Sequence, residues 1–179
     1  MNVMNSLKAI LMLVLMFFAS GHFGCTARKE TARAEIQSAS GSSLTGEAVF
    51  EEVVGGVKMT LTVSGASSGT HAVHLHESGD CSASDATSAG GHWNPTDESH
   101  GSRAEGGEFH SGDIANLQVG EDGTGTLEIT ASDWSIGGEA STDVIGRAVI
   151  IHASADDFVS QPSGNAGARV GCGVVVRSE

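Results

Sequence analysis

Seven consecutive residues, Val57-Lys58-Met59-Thr60-Leu61-Thr62-Val63, put apolar side chains at odd positions and polar ones at even positions. A period of two belongs to a β-strand with one face buried and the other wet. Similar strand-like runs recur along the chain, at roughly Ala32–Ala39, Leu44–Val53, Val57–Ser64, His71–Glu77, Asp113–Val119, Gly125–Thr130, Gly146–Ala153 and Ala168–Arg177. Gly55-Gly56 separates two of them as a hairpin signal, and Gly123 with Gly125 marks a second tight turn. Helical periodicity is weak throughout. Eight short strands with turn signals predict an all-β, antiparallel sandwich or barrel.

Two intervals are too long for ordinary turns. Ser78 to Gly112 is a polar stretch rich in Gly, Ser, His and Asp, and Ala153 to Gly167 is a second long loop. Structureless loops of this length are uncommon unless they serve a function or are tied down. Both are therefore expected to be functional loops.

The first 24 residues are read as a signal peptide rather than as part of the fold. Lys8 supplies a small positive charge, and Ala9 to Ser20 is an apolar run too short to span a bilayer comfortably. Cleavage near Ala19–Gly21 would release the protein. Gly24-Cys25 instead resembles the processing site of a bacterial lipoprotein, with His22 and Phe23 poor matches to its usual residues. The lipoprotein reading is preferred, because Cys25 is otherwise an unpaired thiol in an exported protein. Residues 25–31 then form a lipidated cysteine and tether, and 32–179 the folded domain. The expected location is the periplasm or cell envelope, with a membrane anchor at Cys25. Export to an oxidising space favours a disulfide between Cys81 and Cys172 over two buried thiols.

The net charge is −13, and from Ala32 onward six basic residues stand against 21 acidic ones. So few scattered cations do not make a nucleic-acid-binding face. The acidity has a plain reading as solubility. It also means that an anionic substrate would be repelled overall and must be attracted locally.

Seven of the eight histidines lie between His71 and His152. His74 and His76 are two apart on an expected strand, so both imidazoles project from one face while Val73 and Leu75 face the core. His92, His100 and His110 follow in the Gly-rich loop, and Asp113 lies three residues after His110. His152 ends the seventh run. Zinc accepts histidine and aspartate in a closed tetrahedral site, and imidazole also suits copper. Six histidines and one aspartate exceed a single four-coordinate site, which implies two metals.

The segments GTHAVHLHESGDCSASDATSAGGHWNP, HGS, EFHSGD, GRAVIIHASADD and PSGNAGARVGCG resemble, in order, the signatures of the copper/zinc superoxide dismutase family. The resemblance covers nearly all the chain from about Thr31. It implies an eight-stranded Greek-key barrel that dismutes superoxide to dioxygen and hydrogen peroxide and protects the cell envelope. It further implies copper on His74, His76, His92 and His152, and zinc on His92, His100, His110 and Asp113, with His92 a bridging imidazolate. Asp156 would be a supporting carboxylate linking ligands of both metals. Arg169 would dock the anion beside copper, held in place by the Cys81–Cys172 disulfide. His71 would hydrogen-bond within the barrel end. Ala72, Val73 and Trp93 depart from the Gly, Phe and Phe common in the family, as packing changes. The second loop is shorter than in many eukaryotic relatives, so long-range steering of superoxide is not predicted. Oligomeric state is also left open.

Overall fold

A computed structural model describes residues 29–179; the expected signal peptide and Cys25 lie outside the described residues. The strands are β1 (Thr31–Ser38), β2 (Thr45–Val53), β3 (Gly56–Ser64), β4 (Gly69–His76), β5 (Asp113–Val119), β6 (Gly125–Ala131), β7 (Ala148–His152), β8 (Arg169–Val174) and β9 (Val176–Arg177). The long loop after β4 carries a single 3-10 turn, Thr87–Ala89. Among the described residues no helix is long and apolar enough to cross a membrane.

The strand order is β2-β3-β6-β5-β4-β7-β8-β1-β9, and an additional β1–β2 pairing closes it into a barrel. Every pairing is antiparallel. The connections from β3 to β4 and from β6 to β7 pass over other strands, which gives the expected Greek-key path. Closure removes the exposed edges that an open sheet of this size would present.

The alternation read at Val57–Val63 is the packing pattern of β3. Val57, Met59, Leu61 and Val63 are buried in the barrel with Ala32, Ala34, Ile36, Ala48 and Phe50. Lys58 faces outward and pairs with Glu128. Strand β4 is different, because both of its faces are covered. Val73 and Leu75 belong to the barrel core, while His74 and His76 are equally buried on the other face.

The eighth expected run is not continuous. It breaks at Val175, whose backbone pairs with the start of the seventh run: its N–H donates to the Arg147 carbonyl (2.9 Å) and its carbonyl accepts from Gly146 (2.9 Å). The Val175 side chain fills the core. Strand β7 accordingly begins at Ala148 rather than at Gly146.

The 78–112 loop is fastened to the barrel by the Cys81–Cys172 disulfide, with a Cα–Cα distance of 5.9 Å. The bridge spans 91 residues of sequence. A closed loop of about that size contributes on the order of 4–5 kcal/mol in the chain-entropy model. Ala86 and Ala89 of the loop pack beside Cys172 in a small apolar cluster with Ala39, Ala148 and Ile150. This second cluster lets a polar loop sit on the barrel in one position.

Candidate metal centre

Strands β4 and β7 are neighbours, and His74 pairs in register with Ile150. This brings His74 and His76 beside His152, at the end of β7. Two irregularities aim these residues: the register shifts between Val73 and His74 against β5, and between Ile151 and His152 against β8. Bulges often re-aim side chains beside functional sites.

Past the first shift, β4 bonds to loop backbone instead of to β5. Leu75 donates to the Gly112 carbonyl (2.8 Å), and Leu75 O accepts from Trp93 N (2.9 Å). A Cβ at Gly112 would collide with the Leu75 carbonyl, so the approach requires glycine. The same short ladder places His92 opposite His76. The His92 ring lies 3.9 Å from that of His74 and 5.1 Å from that of His76, centroid to centroid.

Two groups able to hold a metal ion result, His74–His76–His92–His152 and His92–His100–His110–Asp113. Within each, the ligand atoms all lie within 4.8 Å of one another, and His92 belongs to both. Among the described residues, five buried nitrogens have no hydrogen-bond partner: His74 Nδ1, His76 Nε2, His92 Nε2, His152 Nε2 and His100 Nδ1. Such orphaned polar atoms are rare and call for an explanation, an ion among them. The opposite nitrogens are occupied. His76 Nδ1 donates to the Gly90 carbonyl (2.9 Å) and His152 Nδ1 to that of Gly167 (3.2 Å). Because a carbonyl only accepts, these bonds leave the Nε2 lone pairs free for a metal. His100 Nδ1 lies 3.0 Å from Asp113 Oδ2 without bonding to it, as two ligands facing one centre would. His92 Nδ1 is 2.8 Å from Asp113 Oδ1 and 3.4 Å from His110 Nδ1. The residues therefore fit two metals that share one imidazole.

Asp156 joins the groups from behind. Its Oδ2 accepts from His74 Nε2 (2.7 Å) and its Oδ1 from His100 Nε2 (3.0 Å). Asn116 clamps its backbone: Asn116 Nδ2 donates to Asp156 O (2.9 Å) and Asn116 Oδ1 accepts from Asp156 N (2.8 Å). A Cβ at Gly164 would run into the Asp156 carboxylate, which leaves no room for another residue.

Arg169 projects from the start of β8 into a cavity of about 400 Å³ that reaches His76, His92 and His152. Its Nη1 donates to Ala86 O (2.7 Å) and its Nη2 to Gly90 O (2.7 Å). The disulfide thus acts on Arg169 at one remove, through the loop that presents these carbonyls, and Cys81 itself makes no hydrogen bond to it. His71 is tied into the barrel end as expected, with Nδ1 donating to His152 O (2.7 Å) and Nε2 lying 2.9 Å from Ser67 O.

Sequence reading missed Arg103. Its Nε donates to Asp113 O (2.9 Å) and its guanidinium pairs with Asp133 and lies over Phe109, 4.6 Å from the ring centroid. It braces the backbone of Asp113, and only its place beside the HGS motif hinted at a role. Asn116 and Gly90 were missed as well.

Electrostatics differ between the two groups. Burial pushes His74 down to about 4, although Asp156 opposes the shift, and pushes His152 down to about 3. Burial lowers His76 further. All three are neutral imidazoles at pH 7, ready to ligate. Burial also lowers His100, but the adjacent carboxylates of Asp113 and Asp156 outweigh this and raise it to about 9. Asp113 and Asp156 resist protonation far below the usual carboxylate range: burial works against the charged form, but the nearby His100 imidazole, His92 (at Asp113) or His74 (at Asp156), and backbone N–H groups win.

The sequence model described as copper/zinc superoxide dismutase matches residues 44–175. A superoxide dismutase [Cu-Zn] of Deinococcus radiodurans is 37% identical over 154 residues, which cover 80% of this chain and 83% of that protein. Among solved structures, a SOD-like protein from Bacillus subtilis matches with a TM-score of 0.71 at 31% identity, covering 80% of this chain and 97% of the other. The clock protein EA4 matches with a TM-score of 0.72 at 31% identity, covering 82% and 94%. A closed antiparallel barrel with paired histidine-rich metal groups defines the class. The chain belongs to the copper/zinc superoxide dismutase family, oxidoreductases that dismute superoxide with copper and zinc as cofactors.

Because His100 keeps its proton at pH 7 while His74, His76 and His152 do not, metal uptake by the His100-containing group must expel a proton. Calorimetry in buffers of different ionisation enthalpy is expected to show about one proton released from His100 at pH 7, falling away above pH 9.

Proposed function

We propose that His74, His76, His92 and His152 hold copper, and that His92, His100, His110 and Asp113 hold zinc, with His92 bridging the two as an imidazolate. The observation that carries this reading is the membership of His92 in both ligand groups, with free Nε2 on one side and Nδ1 beside Asp113 on the other. Copper supplies the one-electron chemistry that dismutation needs, whereas zinc has none.

The chain's own residues do the rest. Two superoxide ions and two protons yield one dioxygen and one hydrogen peroxide, so the site must deliver protons as well as hold the anion. His92 lines the cavity and its free Nε2 belongs to the copper group, so it is the atom placed to take up and hand on one of those protons. The ligand rings stay fixed meanwhile, because Asp156 bonds His74 and His100 from outside the metal sites. Arg169 draws the anion in. Among the described residues its guanidinium is the one arginine or lysine lining the cavity, and it bonds to two carbonyls rather than forming an ion pair with a carboxylate. In an acidic protein this makes a local positive well.

We also propose that the protein is exported, anchored through a lipid on Cys25, and protects the cell envelope from superoxide. The apolar run before Cys25 and the need for an oxidising space to form Cys81–Cys172 support this reading. Mass spectrometry of the native protein should find a lipid-modified Cys25 as the first residue; an unmodified start upstream of it contradicts the anchor.

Stopped-flow measurement on the copper- and zinc-loaded protein should show fast superoxide consumption, with kcat/KM lower by on the order of tenfold in Arg169→Ala, as for a lost charged hydrogen-bond partner. No turnover with both metals bound would contradict the proposal and leave metal storage as the alternative.

A further inference from the structure

One peptide unit stands behind both the copper group and the anion-docking arginine. The carbonyl of Gly90 accepts from His76 Nδ1 (2.9 Å) and from Arg169 Nη2 (2.7 Å). The amide N–H of Gly91, the other end of the same peptide, donates to Glu77 Oε1 (3.0 Å). Glu77 lies next to His76 in sequence, at the end of β4. Resting on the copper assignment above, we propose that Glu77 is a positioning residue that acts through the Gly90–Gly91 peptide to hold His76 and Arg169 in their working orientations.

The physical basis is the planarity and polarity of the peptide. Its N–H and C=O point in opposite directions and are fixed by one rigid plane. A carboxylate at the N–H end therefore fixes where the C=O end points. Hydrogen bonds in such a chain polarise one another, so the carboxylate also strengthens the carbonyl as an acceptor for the two donors beyond it.

The surroundings restrain Glu77 for this task. Its own N–H donates to Gly91 O (3.0 Å), so side chain and backbone both grip the same glycine. Its carbonyl accepts from Arg147 Nη1 (2.9 Å), and the Arg147 guanidinium lies over Trp93, 4.7 Å from the ring centroid. Gly90 has a φ of +75°, and a Cβ there would collide with the Glu77 carboxylate, so the contact depends on glycine at that position. The Glu77 carboxylate makes no hydrogen bond to His76 or Arg169; its bonding partner is the Gly91 N–H. The influence of the side chain therefore passes through the Gly90–Gly91 peptide.

The test uses the protein loaded with both metals, as parent, Glu77→Ala and Glu77→Gln, with copper and zinc content measured in each. Azide, a small anion, is titrated against the copper visible band, and superoxide consumption is followed separately. Glu77→Ala is expected to weaken azide affinity and kcat/KM by about threefold, the size of one solvent-exposed hydrogen bond, with metal content unchanged. Glu77→Gln keeps an acceptor oxygen for Gly91 N–H and is expected to recover most of the loss. Azide affinity in Glu77→Ala equal to that of the parent overturns the proposal, as does Glu77→Gln as weak as Glu77→Ala. Loss of metal from Glu77→Ala overturns it too, because the residue would then serve metal retention. A parent that binds azide but consumes no superoxide refutes the dismutase reading alone, since the azide titration still reports on Glu77.

Discussion

Six imidazoles and two carboxylates can be packed between a barrel and its loops only if nearly every buried polar atom has a partner. The orientation of each ring follows from this constraint. One nitrogen of His74, His76, His152 and His100 bonds to a carboxylate or a backbone carbonyl, and the other is left free toward the other members of its own ligand group. Asp156 carries the largest share, because it holds one ring from each metal-binding group. The clamp from Asn116 and the bare Cα of Gly164 then follow as conditions for keeping that carboxylate in place.

The fold serves this arrangement through departures from regular structure. Bulges at His74 and His152 free the strand ends from their neighbours, and loop backbone takes over the vacated hydrogen bonds. The disulfide and the cluster around Ala86 and Ile150 seat the long loop, which brings His92 opposite His76 and two carbonyls against Arg169. The charge distribution is consistent with the same design. Lys58, Arg103 and Arg177 are each paired with an acid, and Arg147 is occupied with backbone carbonyls. Arg33 and Lys29 lie at other cavities, and Arg169 lines the one beside His76, His92 and His152.

Most of the strands were legible in the sequence, because a buried face imposes alternation that survives without any tertiary knowledge. The break at Val175 was not legible, since it arises from the backbone of Arg147 on another segment. The ligand residues were readable as residue types: histidines two apart on a strand, then a histidine-rich loop. Asp156 and Arg169 came only through resemblance to the family. Their partners were harder still, because Ala86, Gly90 and Gly167 contribute backbone carbonyls, which every residue type has. Arg103 and Asn116 act on backbone atoms of Asp113 and Asp156, and no spacing rule marks such pairs.

The central claim is that one imidazole, His92, is shared by two metals. Anomalous diffraction at the copper and zinc edges, from crystals of the protein loaded with both ions, tests it most directly. The account requires two ions flanking the His92 ring, with copper at Nε2 beside His74, His76 and His152, and zinc at Nδ1 beside His100, His110 and Asp113. A single ion, or two ions of which one does not touch His92, would contradict it.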